Sequence, residues 1–145
     1  MDFIDRLIHA LTEMHPIHPM LVHFPIALSG AAAFFILLAL WKKDLIYEKI
    51  AFANLVLAVF GTIAAGLTGM YDNNLNYGGD APNASVKIIL AAILLIITTT
   101  TVIIRWKNPS VFKSRGKVLY VLAYLVSFIL SLVLSFLGGV ILYGF

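Results

Sequence analysis

Apolar residues in this chain do not alternate with polar ones. They run together in four blocks, each about 20 residues or longer, which is the length a helix needs to cross the hydrocarbon core of a bilayer. The blocks are Met20–Trp41, Ile50–Met70, Val86–Arg105 and Val118–Tyr143. Ahead of them the pattern changes. Phe3, Ile4, Leu7, Ile8, Leu11 and Met14 recur at helical spacing with Asp2, Asp5, Arg6, His9 and Glu13 between them, which predicts a short amphipathic helix lying at the membrane surface within residues 1–19. Residues 1–14 also lack the basic-then-apolar order of a cleavable signal. The expected fold is an all-α membrane protein, a single domain over residues 1–145 with four transmembrane helices in an antiparallel bundle, preceded by the interfacial helix.

Two of the blocks carry a seam of small or polar residues. Asn54, Ala58, Gly61, Ala65, Thr68 and Asp72 fall on one face of the second. Tyr124, Ser127, Ser131, Ser135 and Gly138 fall on one face of the fourth, which ends in Gly138-Gly139. Small residues let helices approach closely in lipid, where packing drives association, so the two seams are expected to face each other or a flat object held between them. Thr98–Thr101 in the third block can return hydroxyl bonds to their own helix and are assigned no function.

Composition narrows the chemistry. With 61% hydrophobic and 12% charged residues and a mean hydropathy of +0.99, the chain is not an ordinary soluble domain. The absence of cysteine removes disulfides, thiolate metal sites, iron–sulfur ligation and covalent haem attachment. Basic residues sit at helix ends without interleaved aromatics, so nucleic acid is not an expected partner. Their placement does set an orientation. Lys42, Lys43 and Lys49 flank the first connection and Arg105, Lys107, Lys113, Arg115 and Lys117 the third, against Arg6 and Lys87 on the other face. The positive-inside rule then puts the first and third connections in the cytoplasm and both termini outside. In a bacterium the location is the inner membrane, with the histidines, Asp72, Tyr77, Asp80 and Tyr143 at the outer face. The connection Lys107–Lys117 is basic enough to favour anionic headgroups.

Three of the four histidines and three of the five prolines fall between His15 and Pro25. Pro19 suits the first turn of a helix, and Pro25, a turn deeper, frees the carbonyl of Leu21. His18, His23 and Asp72 are expected to form an outer-face cluster. A b-type haem needs axial ligands on opposing segments. Since every histidine lies within the first 23 residues, the candidates are His23 with Met70, His18 with His23, or His23 from two copies of the chain, with Arg6, Lys87, Tyr71 or Tyr77 at the propionates. A zinc or copper site would draw on His15, His18, His23 and Asp72, with Glu13, Met20 and Met70 in reserve. A structural reading needs no ligand: the imidazoles satisfy a freed carbonyl or the Asp72 carboxylate and lock the first two spans together, with Pro19, Pro25, Gly61, Gly138 and Gly139 shaping the backbone. Asp72, Asn74 and Asn76 have the spacing that begins a calcium loop, but Tyr77 stands where Gly is required and Asn83 where Glu is required; an Asn-rich turn fits better. No serine stands beside a histidine at matching depth, so no catalytic residue is assigned.

The stretch His18-Pro-Met-Leu-Val-His23-Phe-Pro-Ile-Ala-Leu28 closely resembles the His-Pro-x-x-Val-His-Phe-Pro-Ile-Ala-Leu signature of a bacterial family of predicted four-helix membrane proteins of unknown function. The likeness extends to Thr68-Gly69-x-x-Asp72 and to the closing Gly138-Gly139 and Tyr143. Some relatives carry fused Rieske-type or c-type cytochrome domains, and the resemblance therefore implies company with electron transfer. Many relatives have a further histidine at the start of the third span, where this chain has Asn83-Ala-Ser-Val-Lys87.

Three functions follow as expectations. The first is a small membrane subunit of a respiratory or other electron-transfer complex, either holding a b-type haem or supporting a partner that does. The second is a copper- or zinc-handling membrane protein. The third is a purely structural assembly subunit, docking on other membrane subunits or a second copy, with lipids as its surroundings.

Overall fold

The computed structural model describes residues 2–12 and 17–143, apart from the side chains of Leu7, of residues 9–12 and of 141–143. Its helices are α1 (Phe3–Thr12), α2 (Ile17–Lys42), α3 (Leu45–Tyr77), α4 (Ala84–Lys107) and α5 (Lys117–Tyr143), with a short 3-10 turn at Val111–Lys113. Among the described residues, four helices, α2 to α5, are long and apolar enough to span a membrane. On α1, the side chains of Phe3, Ile4 and Ile8 are all exposed. Met14 of the expected amphipathic stretch lies outside the described residues.

The helices overrun the apolar blocks because capping groups, not hydropathy, decide where they stop. Asp44 begins α3, its carboxylate accepting the N–H of Ile46 at 2.9 Å. Gly78 ends it in the left-handed region at φ 58°, its N–H bonded to the carbonyl of Asn73. A helix of 33 residues is about 50 Å long against about 30 Å of hydrocarbon, so the last turns of α3 stand clear of the membrane core. The asparagine-rich stretch Asp72–Asn76, expected to be a turn, is helical, and α3 runs to Tyr77. Asp72 and Asn76 pair one helical turn apart, the amide donating to the carboxylate at 2.5 Å, instead of lining a calcium-type loop. Asn73 closes the true turn: its side chain donates to the carbonyl of Gly79 and accepts from the N–H of Ala81, each at 3.0 Å.

In the bundle α2 packs on α3, α3 on α4, α4 on α5 and α5 back on α2. Residue numbers fall along α3 as they rise along α2: His18 meets Thr68, Pro25 meets Gly61, and Phe35 stacks on Tyr47. The hairpin is thus antiparallel, joined through only Lys43 and Asp44. Helix α2 continues through Pro25, which is buried and seated against Gly61. A Cβ on Gly61 would lie 3.1 Å from the proline Cδ and 3.2 Å from its backbone nitrogen. The seam on α3 is the surface on which α2 rests. The inner part of the seam on α5 packs toward α2 instead of the α3 seam, because α3 and α5 are diagonal in the bundle. Ser131 meets Ser29 at 2.9 Å, and Gly30 leaves room for the Phe128 ring.

Packing is uneven along the bundle axis. Ala32, Ile36, Ala39, Ala51, Leu55, Tyr120, Val121 and Tyr124 form a continuous core with Val111 and Phe112 of the connector. All of these lie toward the basic end. Thr98 and Thr101 are buried there too, donating to the carbonyls of Leu94 and Ile97. Toward the histidine end, the outermost buried residues among those described are Pro25 on α2, Thr62 on α3, Leu94 on α4 and Ser131 on α5. At that end Ser135 is exposed and a Cβ on Gly138 would meet nothing within 4 Å.

Candidate functional site

At the histidine end, the first and second signature stretches meet. The His18 imidazole packs against α3 at Gly69, where a Cβ would come within 2.8 Å of its Cε1. Its Nδ1 is 3.2 Å from Thr68 Oγ1. The threonine hydroxyl has one proton, and that proton is directed to the carbonyl of Ala64 at 2.9 Å, with Ala65 at 3.2 Å. Thr68 therefore accepts from His18, which fixes the proton on Nδ1 and leaves the Nε2 lone pair for another partner. Threonine orients the ring; glycine makes room for it.

Asp72, one turn beyond Thr68, and Lys87, near the start of α4, lie close enough to act electrostatically on His18 and on each other. A shallow cleft of about 190 Å³ is lined by Ile17, His18, Leu67, Thr68, Tyr71 and Asp72. His18 and Asp72 thus share one cleft.

His23 takes a different place. Its side chain is exposed, and its Nδ1–H donates to the carbonyl of Pro19 one turn back at 2.6 Å. A histidine four residues after a proline in a continuous helix can reach that carbonyl without leaving its own helix, so it does not turn toward Asp72. Met70 is likewise exposed, at 57%. Among the described residues no three His, Asp or Glu side chains gather as a metal-ligand set; His15 and Glu13 lie outside the described residues. Pro19 is exposed in the first turn of α2, and Gly61 and Pro25 form the close contact given above.

A second polar cluster, at the basic end, is absent from the sequence-based expectations. Glu48 is 2% exposed and accepts three hydrogen bonds. Arg105 donates through Nε at 2.6 Å and Nη2 at 3.0 Å, and Tyr120 through its hydroxyl at 2.9 Å. The Tyr120 proton is thereby committed, so Tyr124, 2.8 Å away, donates to the Tyr120 oxygen. Three helices, α3, α4 and α5, are joined by this one carboxylate. A signal for it did exist in the sequence. Glu48 is an acid in the most basic part of the chain, Arg105 closes a span, and the two tyrosines are one turn apart on α5. Counting charges for topology treats Arg105 as a loop cation and passes over its pairing.

Four long apolar helices, short connections and ionisable groups confined to the two ends define an integral membrane bundle. The chain matches the family described as "Predicted membrane protein (DUF2231)" over residues 14–145, and it belongs to that family. No curated protein and no solved structure matches it.

Proposed function

We propose that the chain is an accessory subunit, without catalysis of its own, of a larger bacterial inner-membrane complex concerned with electron transfer. Its basic end faces the cytoplasm. The observation that carries this reading is the uneven packing. The basic half is a finished core, whereas the histidine half leaves Ser135 exposed and open space around Gly138. Small residues in lipid favour close helix approach, and a surface of this kind suits a helix from another subunit. In this reading His18 locks α2 to α3, holding the open half in one shape. The electron-transfer setting rests on the resemblance to relatives with fused redox domains.

A photo-crosslinking residue in place of Gly138, compared with one in place of Leu119 at the lipid-facing basic end, tests the subunit reading in native membranes. A discrete polypeptide adduct at position 138, with lipid adducts alone at 119, is the expected result. Lipid adducts alone at both positions would refute it.

A second reading has its own observation, the Nε2 lone pair of His18 beside the cleft. It makes His18 one axial ligand of a b-type haem, or one ligand of a copper or zinc ion, with the other ligand supplied by the partner. A reduced-minus-oxidised spectrum of the complex decides on haem. Soret and α bands lost in His18→Ala favour haem; a flat spectrum at stoichiometric protein removes haem, and metal analysis of the same sample then decides on copper or zinc.

A further inference from the structure

The basic end holds a second cavity, of about 270 Å³, between the start of α3, the end of α4 and the α4–α5 connector. It is open on one side, and its volume leaves room for a phosphate group. Lys49, Arg105 and Lys113 line it, against an apolar wall that includes Phe112. Phe112 is 7% exposed, and Lys117 sits over its ring at 5.0 Å, so the wall is held in place. Glu48 forms part of the lining, but its charge is taken up by Arg105. The guanidinium has five N–H groups and gives two of them to Glu48, leaving three. Among the described residues neither Lys49 nor Lys113 is ion-paired. The cavity therefore carries a net positive charge and a pinned, planar donor that suits phosphate oxygens.

Its depth points to the source of the phosphate. Trp106 at 75% exposure closes α4 beside Arg105, and Trp41 at 74% closes α2 with Lys42 stacked over it at 4.4 Å. Exposed tryptophans at span ends mark the level of lipid headgroups. The cavity opens at that level.

We propose that this cavity is a binding site for the phosphate of an anionic phospholipid, with Lys49, Lys113 and the free edge of Arg105 as its ligands. The site does not depend on a partner subunit or on haem.

The test uses the full chain in a neutral detergent and reads thermal unfolding against added lipid. Phosphatidylglycerol raises Tm by a few degrees in a saturable way, because a ligand that binds the folded state stabilises it. Phosphatidylcholine does not. The double variant Lys49→Ala/Lys113→Ala loses the rise. Lys43→Ala/Lys107→Ala, which removes the same charge outside the cavity, keeps it. Equal loss in both variants would mean diffuse charge attraction and would overturn the proposal, as would retention of the full rise in both. Inorganic phosphate supplies the remaining arm. If it reproduces the rise at the same concentration as the lipid, the site takes free phosphate and the lipid assignment falls.

Discussion

Replacing Arg105 by leucine leaves the Glu48 carboxylate at 2% exposure with one of its three hydrogen bonds, the one from Tyr120. Removing one partner of a buried ion pair costs about 3–5 kcal/mol, since the remaining charge has lost its compensation. The reverse change, Glu48→Leu, should cost less. Arg105 is 13% exposed at the edge of the bundle, and its long side chain can carry the guanidinium into the headgroup region. A loss of about 1.5–3 kcal/mol, that of a hydrogen bond made by a charged group, is expected there. The double variant Glu48→Leu/Arg105→Leu removes both charges and should recover much of what Arg105→Leu loses. Equilibrium unfolding in mixed micelles, read by far-UV circular dichroism on all four proteins, gives the coupling energy of the cycle. The reasoning fails if the two single variants are equally destabilised, or if their losses add in the double variant.

Further expectations concern the helix contacts. Gly61→Ala puts a methyl 3.1 Å from Pro25 Cδ and 3.2 Å from its backbone nitrogen; because a helix backbone cannot give way as a side chain does, a loss of about 1–3 kcal/mol in the same unfolding assay is expected. Gly138→Ala meets nothing within 4 Å, and the isolated chain should be unchanged or slightly more stable, while recovery of the intact complex on native gels falls. Gly69→Ala should displace the His18 ring and destabilise by about 1–3 kcal/mol; His18→Ala already removes the obstructing ring, so Gly69→Ala added to it should cost little more. Thr68→Val removes the acceptor that fixes the His18 proton, and ¹⁵N spectra of the imidazole should show the Nδ1–H form losing its dominance.

What the sequence discloses about this protein follows from the range of each interaction. Hydropathy locates spans because each residue's transfer into lipid is nearly independent of its neighbours, and α2 to α5 cover the four apolar blocks. Helix ends depend on single capping contacts, which is why α3 runs on to Gly78 through a stretch rich in asparagine. The meeting of His18 with Thr68, Gly69 and Asp72 was half legible: the α3 seam pointed Asp72 at the bundle, but nothing local told which histidine it would meet. His23 went to its own helix, bonding the carbonyl of Pro19 one turn back. The α5 seam was visible, yet its partner was a matter of helix order around the ring. The Glu48 cluster was hidden for a related reason. Its members come from three helices, and charge counting had already given Arg105 a different role.

The separation between Glu48 and its partners also bears on how the protein is made. Glu48 and Arg105 are 57 residues apart in the chain, and Tyr120 is 72 away. At about 5–20 residues per second, the ribosome needs about 3–11 s after making Glu48 to deliver Arg105. During that interval the α2–α3 hairpin, closed through Lys43 and Asp44, can already have formed, with a carboxylate at its basic end that has no guanidinium to meet. Insertion of α4 therefore completes a charge pair as well as adding a span. A nascent chain that stops before Arg105 displays an uncompensated acid at the membrane surface, and by that mark an unfinished copy differs chemically from a finished one.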